Sequence, residues 1–193
     1  MPVEERPLVV AVCGSPGAGK TTVARATARR LGVPLLTRDE FKLGLALSTA
    51  SAAEDGSVRL GPGFHIAGGP LSARAETAMV ATARLLAAAG AGFVVESSVL
   101  SHDLLDALDE GDARVLAVHV VARDDVVEAR LRARTDGGGK VDRHLLAQFL
   151  RGEMTPARFA PPARAGAALE IDTSTGGEPD TGRVLAAALA LLR

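Results

Sequence analysis

The 193-residue chain contains no tryptophan and no tyrosine, five phenylalanines and a single cysteine, Cys13. One thiol cannot form an internal bridge, so a disulfide-built secreted scaffold is excluded and a reducing, cytoplasmic setting is expected. The scarcity of aromatics leaves almost nothing from which to build a base-stacking platform for single strands. Surplus charge is missing as well: 22 basic residues stand against 23 acidic ones, whereas a protein that grips nucleic acid through its phosphates needs a basic excess. No nucleic-acid partner is therefore expected. Long apolar runs are absent. The N-terminal MPVEERPLVVAVCG is acidic before an apolar stretch that ends at glycine after about six residues, too short for a signal peptide or a transmembrane span. No membrane partner follows from it.

What remains is 47% hydrophobic and 23% charged, an ordinary globular composition that a chain of this length can fold as one domain, burying roughly 70% of its unfolded surface. Short apolar, β-branched segments alternate with longer helical ones, which predicts an α/β domain around a parallel sheet. Five strands are expected, at Leu8–Cys13, Pro34–Thr37, Gly92–Ser97, Arg114–Ala122 and Ala168–Asp172. Runs such as VVAVC and VLAVHVV lack polar alternation, the mark of strands covered on both faces. Helices are expected at Lys20–Leu31, Asp39–Leu47, Leu71–Ala89, Ser101–Leu108, Asp124–Arg134, Asp142–Arg151 and Thr181–Leu192, from their Ala, Leu and Arg content at helical spacing. Ser48–Pro70 and the DGGG run at Asp136–Gly139 break the pattern and read as loops with a functional role.

The most specific signal is GSPGAGKT, Gly14 to Thr21, which fits G-x-x-x-x-G-K-[ST] directly after a strand and directly before a helix. In such a loop the residues Gly14, Ser15, Gly17, Ala18, Gly19, Lys20, Thr21 and Thr22 wrap a nucleotide's phosphates. The glycines let successive amides turn inward, and the helix adds the positive end of its dipole. Lys20 is placed for the β- and γ-phosphates and the Thr21 hydroxyl for Mg²⁺, which makes ATP and Mg²⁺ the expected cofactors. Cys13, at the end of a buried strand, reads as core filler.

With these residues in hand, GSPGAGKTTVARATARRLGVPLLTRDEFK resembles the P-loop kinases that phosphorylate small molecules or 5′-hydroxyl ends, a group that includes polynucleotide kinase, chloramphenicol phosphotransferase, gluconate kinase and the zeta toxins. The resemblance implies the P-loop NTPase fold, a five-stranded parallel sheet flanked by helices with a lid. It also implies a single kinase domain over residues 1–193, with residues 48–70 on the acceptor side and 123–144 as the lid. An acidic residue follows the second strand about twenty residues past the lysine, and in those families an Asp there takes the proton of the attacking hydroxyl. Asp39 holds that place, and a phosphoryl acceptor does need a base. Asp39 would also serve as the N-cap of its helix. Arg38 beside it and Lys42 one turn on are candidate acceptor contacts.

Glu96, at the end of the third strand, stands where P-loop proteins often carry an Asp that holds Mg²⁺ through water. Here it reads as a metal or acceptor residue with Thr21. Arg130 and Arg134, four positions apart on one helix, share a face and can converge on the same phosphates. Followed by a glycine run, they look like a lid that neutralises charge on the transferred group, with Arg132 pointing elsewhere. The competing reading is a solvated basic face paired with Asp124, Asp125 and Glu128. Backbone around Asp172 to Thr175 matches the stretch beside the adenine in such kinases. In GPGFHIAGG, Phe64 and His65 are further candidates for acceptor contact, and the low net charge of that segment suggests an uncharged or cationic hydroxyl compound.

The expected activity is therefore transfer of the ATP γ-phosphate to an alcohol group of a small molecule, an antibiotic or sugar-like compound being one option. The alternatives are a 5′-hydroxyl polynucleotide kinase, a bare ATPase or a noncatalytic nucleotide sensor. A guanine-reading N-K-x-D motif is missing, which argues against a switch GTPase.

Overall fold

A computed structural model describes residues 6–54, 58–60, 64, 68–136 and 140–193. The elements run β1 (Leu8–Gly14), α1 (Lys20–Leu31), β2 (Leu35–Thr37), α2 (Arg38–Leu47), β3 (Ser51–Ala52), β4 (Val58–Arg59), α3 (Pro70–Ala88), β5 (Phe93–Glu96), α4 (His102–Glu110), β6 (Arg114–Val121), α5 (Asp124–Thr135), α6 (Lys140–Leu150), β7 (Ala167–Asp172) and α7 (Thr181–Ala190). Five strands form one sheet in the order β2-β5-β1-β6-β7, and every neighbouring pair is parallel. The expected α/β fold with a five-stranded parallel sheet is what the chain adopts.

Strand β1 lies at the centre because it is apolar on both sides. Val9, Ala11 and Cys13 join a core with Met79, Phe93 and Leu104, on the face covered by α3 and α4. Val10 and Val12 join Val23, Val118 and Val184, on the face covered by α1 and α7. A third, smaller cluster of Val127, Leu131 and Met154, with Leu145 and Phe149 against it, packs α5 onto α6 away from the sheet. Connections leave β1 toward β2 on one side while β6 and β7 lie on the other. The carboxyl ends of the central strands therefore open on a crevice where the order reverses, the place where such sheets bind ligands.

Several boundaries differ from expectation for local reasons. Helix α2 starts at Arg38, because Thr37 caps it by accepting a hydrogen bond from the Glu40 amide at 3.1 Å. Helix α3 starts one residue early, since Pro70 at its first position needs no amide partner. Within Ser48–Pro70, expected as loop, β3 and β4 pair antiparallel with Ser51 opposite Arg59 and Ala52 opposite Val58. Between α6 and β7, Pro156–Phe159 and Ala163–Ala165 form two short 3₁₀ turns. Among the described residues no helix is long and apolar enough to cross a membrane.

Gly14 is where β1 leaves the sheet. Its φ is +144°, and a Cβ there would sit 2.2 Å from the Val120 carbonyl oxygen of β6. Gly32, which ends α1 at φ +69°, would meet nothing within 4 Å. Gly14→Ala is therefore expected to cost about 3 kcal/mol or more, combining backbone strain with overpacking, and Gly32→Ala about 1 kcal/mol. Urea unfolding of both variants checks the order, and equal costs would contradict the close approach of β1 to β6.

Candidate active site

The loop between β1 and α1 closes through glycines that adopt left-handed conformations, Gly17 at φ +87° and Gly19 at φ +95°. Lys20, the first residue of α1, is buried. Its Nζ donates to the Ser15 carbonyl at 3.3 Å and lies 3.8 Å from Glu96 Oε1. Thr21 Oγ1 donates to Glu96 Oε2 at 3.2 Å. Glu96 reaches this point because β5 runs beside β1 and β2, in register with Val12 and Thr37. Burial pulls the Lys20 ammonium below the usual lysine range, and the charges of Glu96 and Asp39 offset it. Burial likewise raises the Glu96 carboxyl, against the pull of Lys20. Thr21 and Glu96 thus come together as expected, as adjacent hard oxygen donors.

In front of this group lies a cavity of about 170 Å³ whose wall includes Lys20, Arg38, Asp39, Lys42 and Arg134. Thr37 caps α2, so the capping role expected of Asp39 falls to another residue, and Asp39 lines the cavity. Lys42 is half-buried, and burial lowers it relative to an ordinary lysine. Its Nζ sits 5.5 Å from the centre of the Phe64 ring, so Phe64 meets the site through Lys42. His65 lies outside the described residues. Ser72 and Ser98 also line the cavity, and neither was singled out from the sequence. The one available signal was that Ser98 follows Glu96 at the carboxyl edge of the sheet.

The α5 arginines divide. Arg132 pairs with Glu128 at 2.6 Å and Arg123 with Asp125 at 3.1 Å, so a solvated paired face exists but excludes Arg130 and Arg134. Both of these line a second cavity of about 150 Å³, bounded by Gly19, Thr22, Thr173 and Pro179. Arg130 does not stand free for phosphate, as the lid expectation required. It donates to the Gly17 carbonyl at 3.2 Å, the Thr173 hydroxyl at 2.9 Å and the Thr173 carbonyl at 2.8 Å. Thr173 in turn donates to the Ala18 carbonyl at 2.7 Å. Arg134, exposed, borders both cavities, and its charge is felt at Lys20.

This clamp has a consequence for phosphate binding. In a planar trans peptide the C=O and the following N–H point in opposite directions. Holding the Ala18 carbonyl on Thr173 therefore fixes the Gly19 amide on the opposite side of that peptide. From the sequence Thr173 stood only within the Asp172–Thr175 backbone stretch, and its side-chain role was not legible, because a threonine after the last strand carries no signature of its own. Cys13 is fully buried, with its thiol pushed up to about 12 by burial, in keeping with core filler.

The family described as an AAA domain matches residues 9–155, from β1 through α6. The chain belongs to this family. A stretch of 37 residues, 19% of this chain, is 65% identical to a shikimate kinase of Thermobifida fusca (strain YX). That match spans 21% of the length of the curated relative. Among solved structures, a Chloroflexus aurantiacus j-10-fl protein that carries a kinase designation is 21% identical, aligning over 97% of this chain and 99% of its own with a TM-score of 0.73. A sugar kinase from Janibacter sp. HTCC2649 is 18% identical over 96% of this chain and 94% of that one, TM-score 0.55. Shikimate kinase from Acinetobacter baumannii, solved with shikimate, is 16% identical over 96% and 95% respectively, TM-score 0.53. These likenesses establish the P-loop kinase-like fold of this AAA-domain chain.

Thr173→Val, which keeps shape and removes the hydroxyl, is expected to weaken ADP binding about tenfold, while Thr173→Ser retains it. Calorimetric titration with ADP checks this, and equal affinities for the Val and Ser variants would contradict the clamp.

Proposed function

We propose that the chain is an ATP-dependent phosphotransferase that moves the γ-phosphoryl group to a hydroxyl of a small molecule, with Asp39 as the general base. The observation that carries the reading is Asp39 itself. Its capping duty is taken by Thr37, it lines the same cavity as Lys20, and its charge is felt at Lys20. On this reading residues 1–193 act as one kinase domain, with 48–70 toward the acceptor and 123–144 as lid.

The loop amides from Ser15 to Thr22 and the Lys20 ammonium hold the β- and γ-phosphates. The Thr21 hydroxyl and Glu96 carboxylate, 3.2 Å apart, suit Mg²⁺, which when bound offsets charge between those phosphates. The acceptor hydroxyl gives its proton to Asp39 as its oxygen bonds to the γ-phosphorus and the bond from that phosphorus to the bridging oxygen of the departing ADP breaks. Arg134, bordering both cavities, neutralises charge on the group in transit. Arg130 acts as a positioning residue through the clamp. A nucleotide sensor would have no use for this carboxylate, whereas a hydrolytic ATPase can use one to activate water, so the dependence of ADP formation on an added acceptor is what separates transfer from hydrolysis.

Asp39→Asn should leave ATP affinity nearly intact and lower transfer by roughly 10² or more. Lys20→Ala should weaken ATP binding or transfer at least about tenfold, and Thr21→Ala should raise the Mg²⁺ requirement. Arg134→Ala should reduce kcat more than nucleotide affinity. The deciding assay follows ADP formation with and without added hydroxyl compounds, product masses being read by mass spectrometry. ADP release indifferent both to every acceptor and to Asp39→Asn would overturn the reading.

A further inference from the structure

A third cavity, of about 740 Å³, opens between α1 and the loop before α7, lined by Thr22, Arg25, Arg29 and Arg30 of the helix and by Glu178 and Pro179 of the loop. Nothing in the proposed transfer uses it. It meets the nucleotide path at two points. Thr22 lines this cavity and both of the others, and Pro179 lines this one and the cavity next to Arg130. A nucleotide whose phosphates lie in the loop therefore leaves it alongside this cavity. Successive helix positions turn by about 100°, so residues 22, 25, 29 and 30 share an arc of roughly 140°. Arg25 and Arg29 follow Thr22 by about 4.5 Å and about 10 Å along the axis.

Two of the three arginines are already held in place. Arg25 Nη2 donates to Glu40 of α2 at 3.0 Å, and Arg30 Nη1 donates to the Thr181 hydroxyl at the start of α7 at 2.8 Å. Each contact uses one terminal nitrogen, and a guanidinium carries five N–H donors, so most of each fork is left over. Arg29 stands between them on the same face, and no hydrogen bond or ion pair joins its side chain to a described residue. Arginine forks take a phosphate through paired N–H donors, and side chains fixed beforehand lose less freedom when they bind. Glu178, exposed on the facing loop, is the acidic member of the wall.

Resting on the phosphotransferase reading, we propose that this cavity is a second phosphate subsite, in which Arg25, Arg29 and Arg30 hold a phosphate carried on the ribose of the nucleotide bound in the loop. The ligand class is an adenine nucleotide phosphorylated on its 2′ or 3′ oxygen. The sugar follows the phosphates out of the loop, so a phosphate on either oxygen lies one sugar ring beyond Thr22, on the side where α1 presents the arginines. Glu178 is left to accept a hydrogen bond from the ribose hydroxyl that remains.

The test titrates three nucleotides calorimetrically into the protein with Mg²⁺ present, namely ADP and ADP bearing an added phosphate on the 2′ or on the 3′ oxygen. The diphosphate fills the loop in all three, so only the added group differs. At least one of the two phosphorylated forms is expected to bind about tenfold or more tightly than ADP, and their order tells the 2′ from the 3′ position. The double variant Arg25→Gln, Arg29→Gln should lose that preference, its folding checked by circular dichroism melting. The comparison within the unaltered protein stands even if the variant does not fold. Equal binding of the three nucleotides, or an undiminished preference in a folded double variant, would overturn the proposal. Inorganic tripolyphosphate, titrated into the ADP-loaded protein, separates a ribose-linked phosphate from a free one. Its binding, with the three nucleotides bound alike, would replace the ribose-linked ligand by a separate polyphosphate. Preference for the phosphorylated ribose without phosphoryl transfer to any acceptor would instead sink the phosphotransferase reading and leave the subsite standing. Transfer with all three nucleotides bound alike would do the reverse.

Discussion

Two opposite charges buried together, Lys20 and Glu96 at 3.8 Å, are the constraint around which the rest of the site is arranged. Neither group tolerates burial alone, since taking a lone ion out of water costs several kcal/mol. The pair is held by elements far apart in sequence, the start of α1 and the end of β5. The parallel register of β1 with β5 is what brings them into contact. Desolvation keeps both groups under-compensated, with the lysine lowered and the carboxyl raised. A polyphosphate bound here would supply a counter-charge to the lysine, in keeping with a phosphate-bearing ligand.

Much of the fold was legible because its signals are local. Helix α1 spans Lys20–Leu31 as read from the sequence, since left-handed glycines bound it at both ends. The five sheet strands lie within a residue or two of expectation because continuous β-branched runs leave little choice. The phosphate loop was legible because its spacing, strand and helix are contiguous. By contrast, Asp39 had two readings until the cap was seen on Thr37, two residues upstream. Periodicity does not resolve a difference that small. The β3–β4 pairing was missed because a ladder of two residues leaves no alternation to detect.

The rest of the site depends on contacts that sequence spacing does not encode. Arg130 and Arg134 look equivalent on a helical wheel. One is committed to Thr173 and Gly17 and the other is not, and the difference lies 43 residues further along the chain. Glu40 stands next to Asp39 in sequence, yet helix rotation and Arg25 take it away from the cavity. Residue type gave the inventory of charges, and only the fold decided which of them meet.

The inert state of Cys13 carries a consequence for the chemistry next door. With a thiol at about 12, the thiolate fraction at neutral pH is on the order of one in 10⁵. Peroxides and disulfides react with the thiolate, and this sulfur is also closed off from solvent. It sits one residue before the phosphate loop, where an added oxygen would push apart β1 and the helices covering it. The strand that feeds the phosphate loop is thereby insulated from thiol oxidation at Cys13.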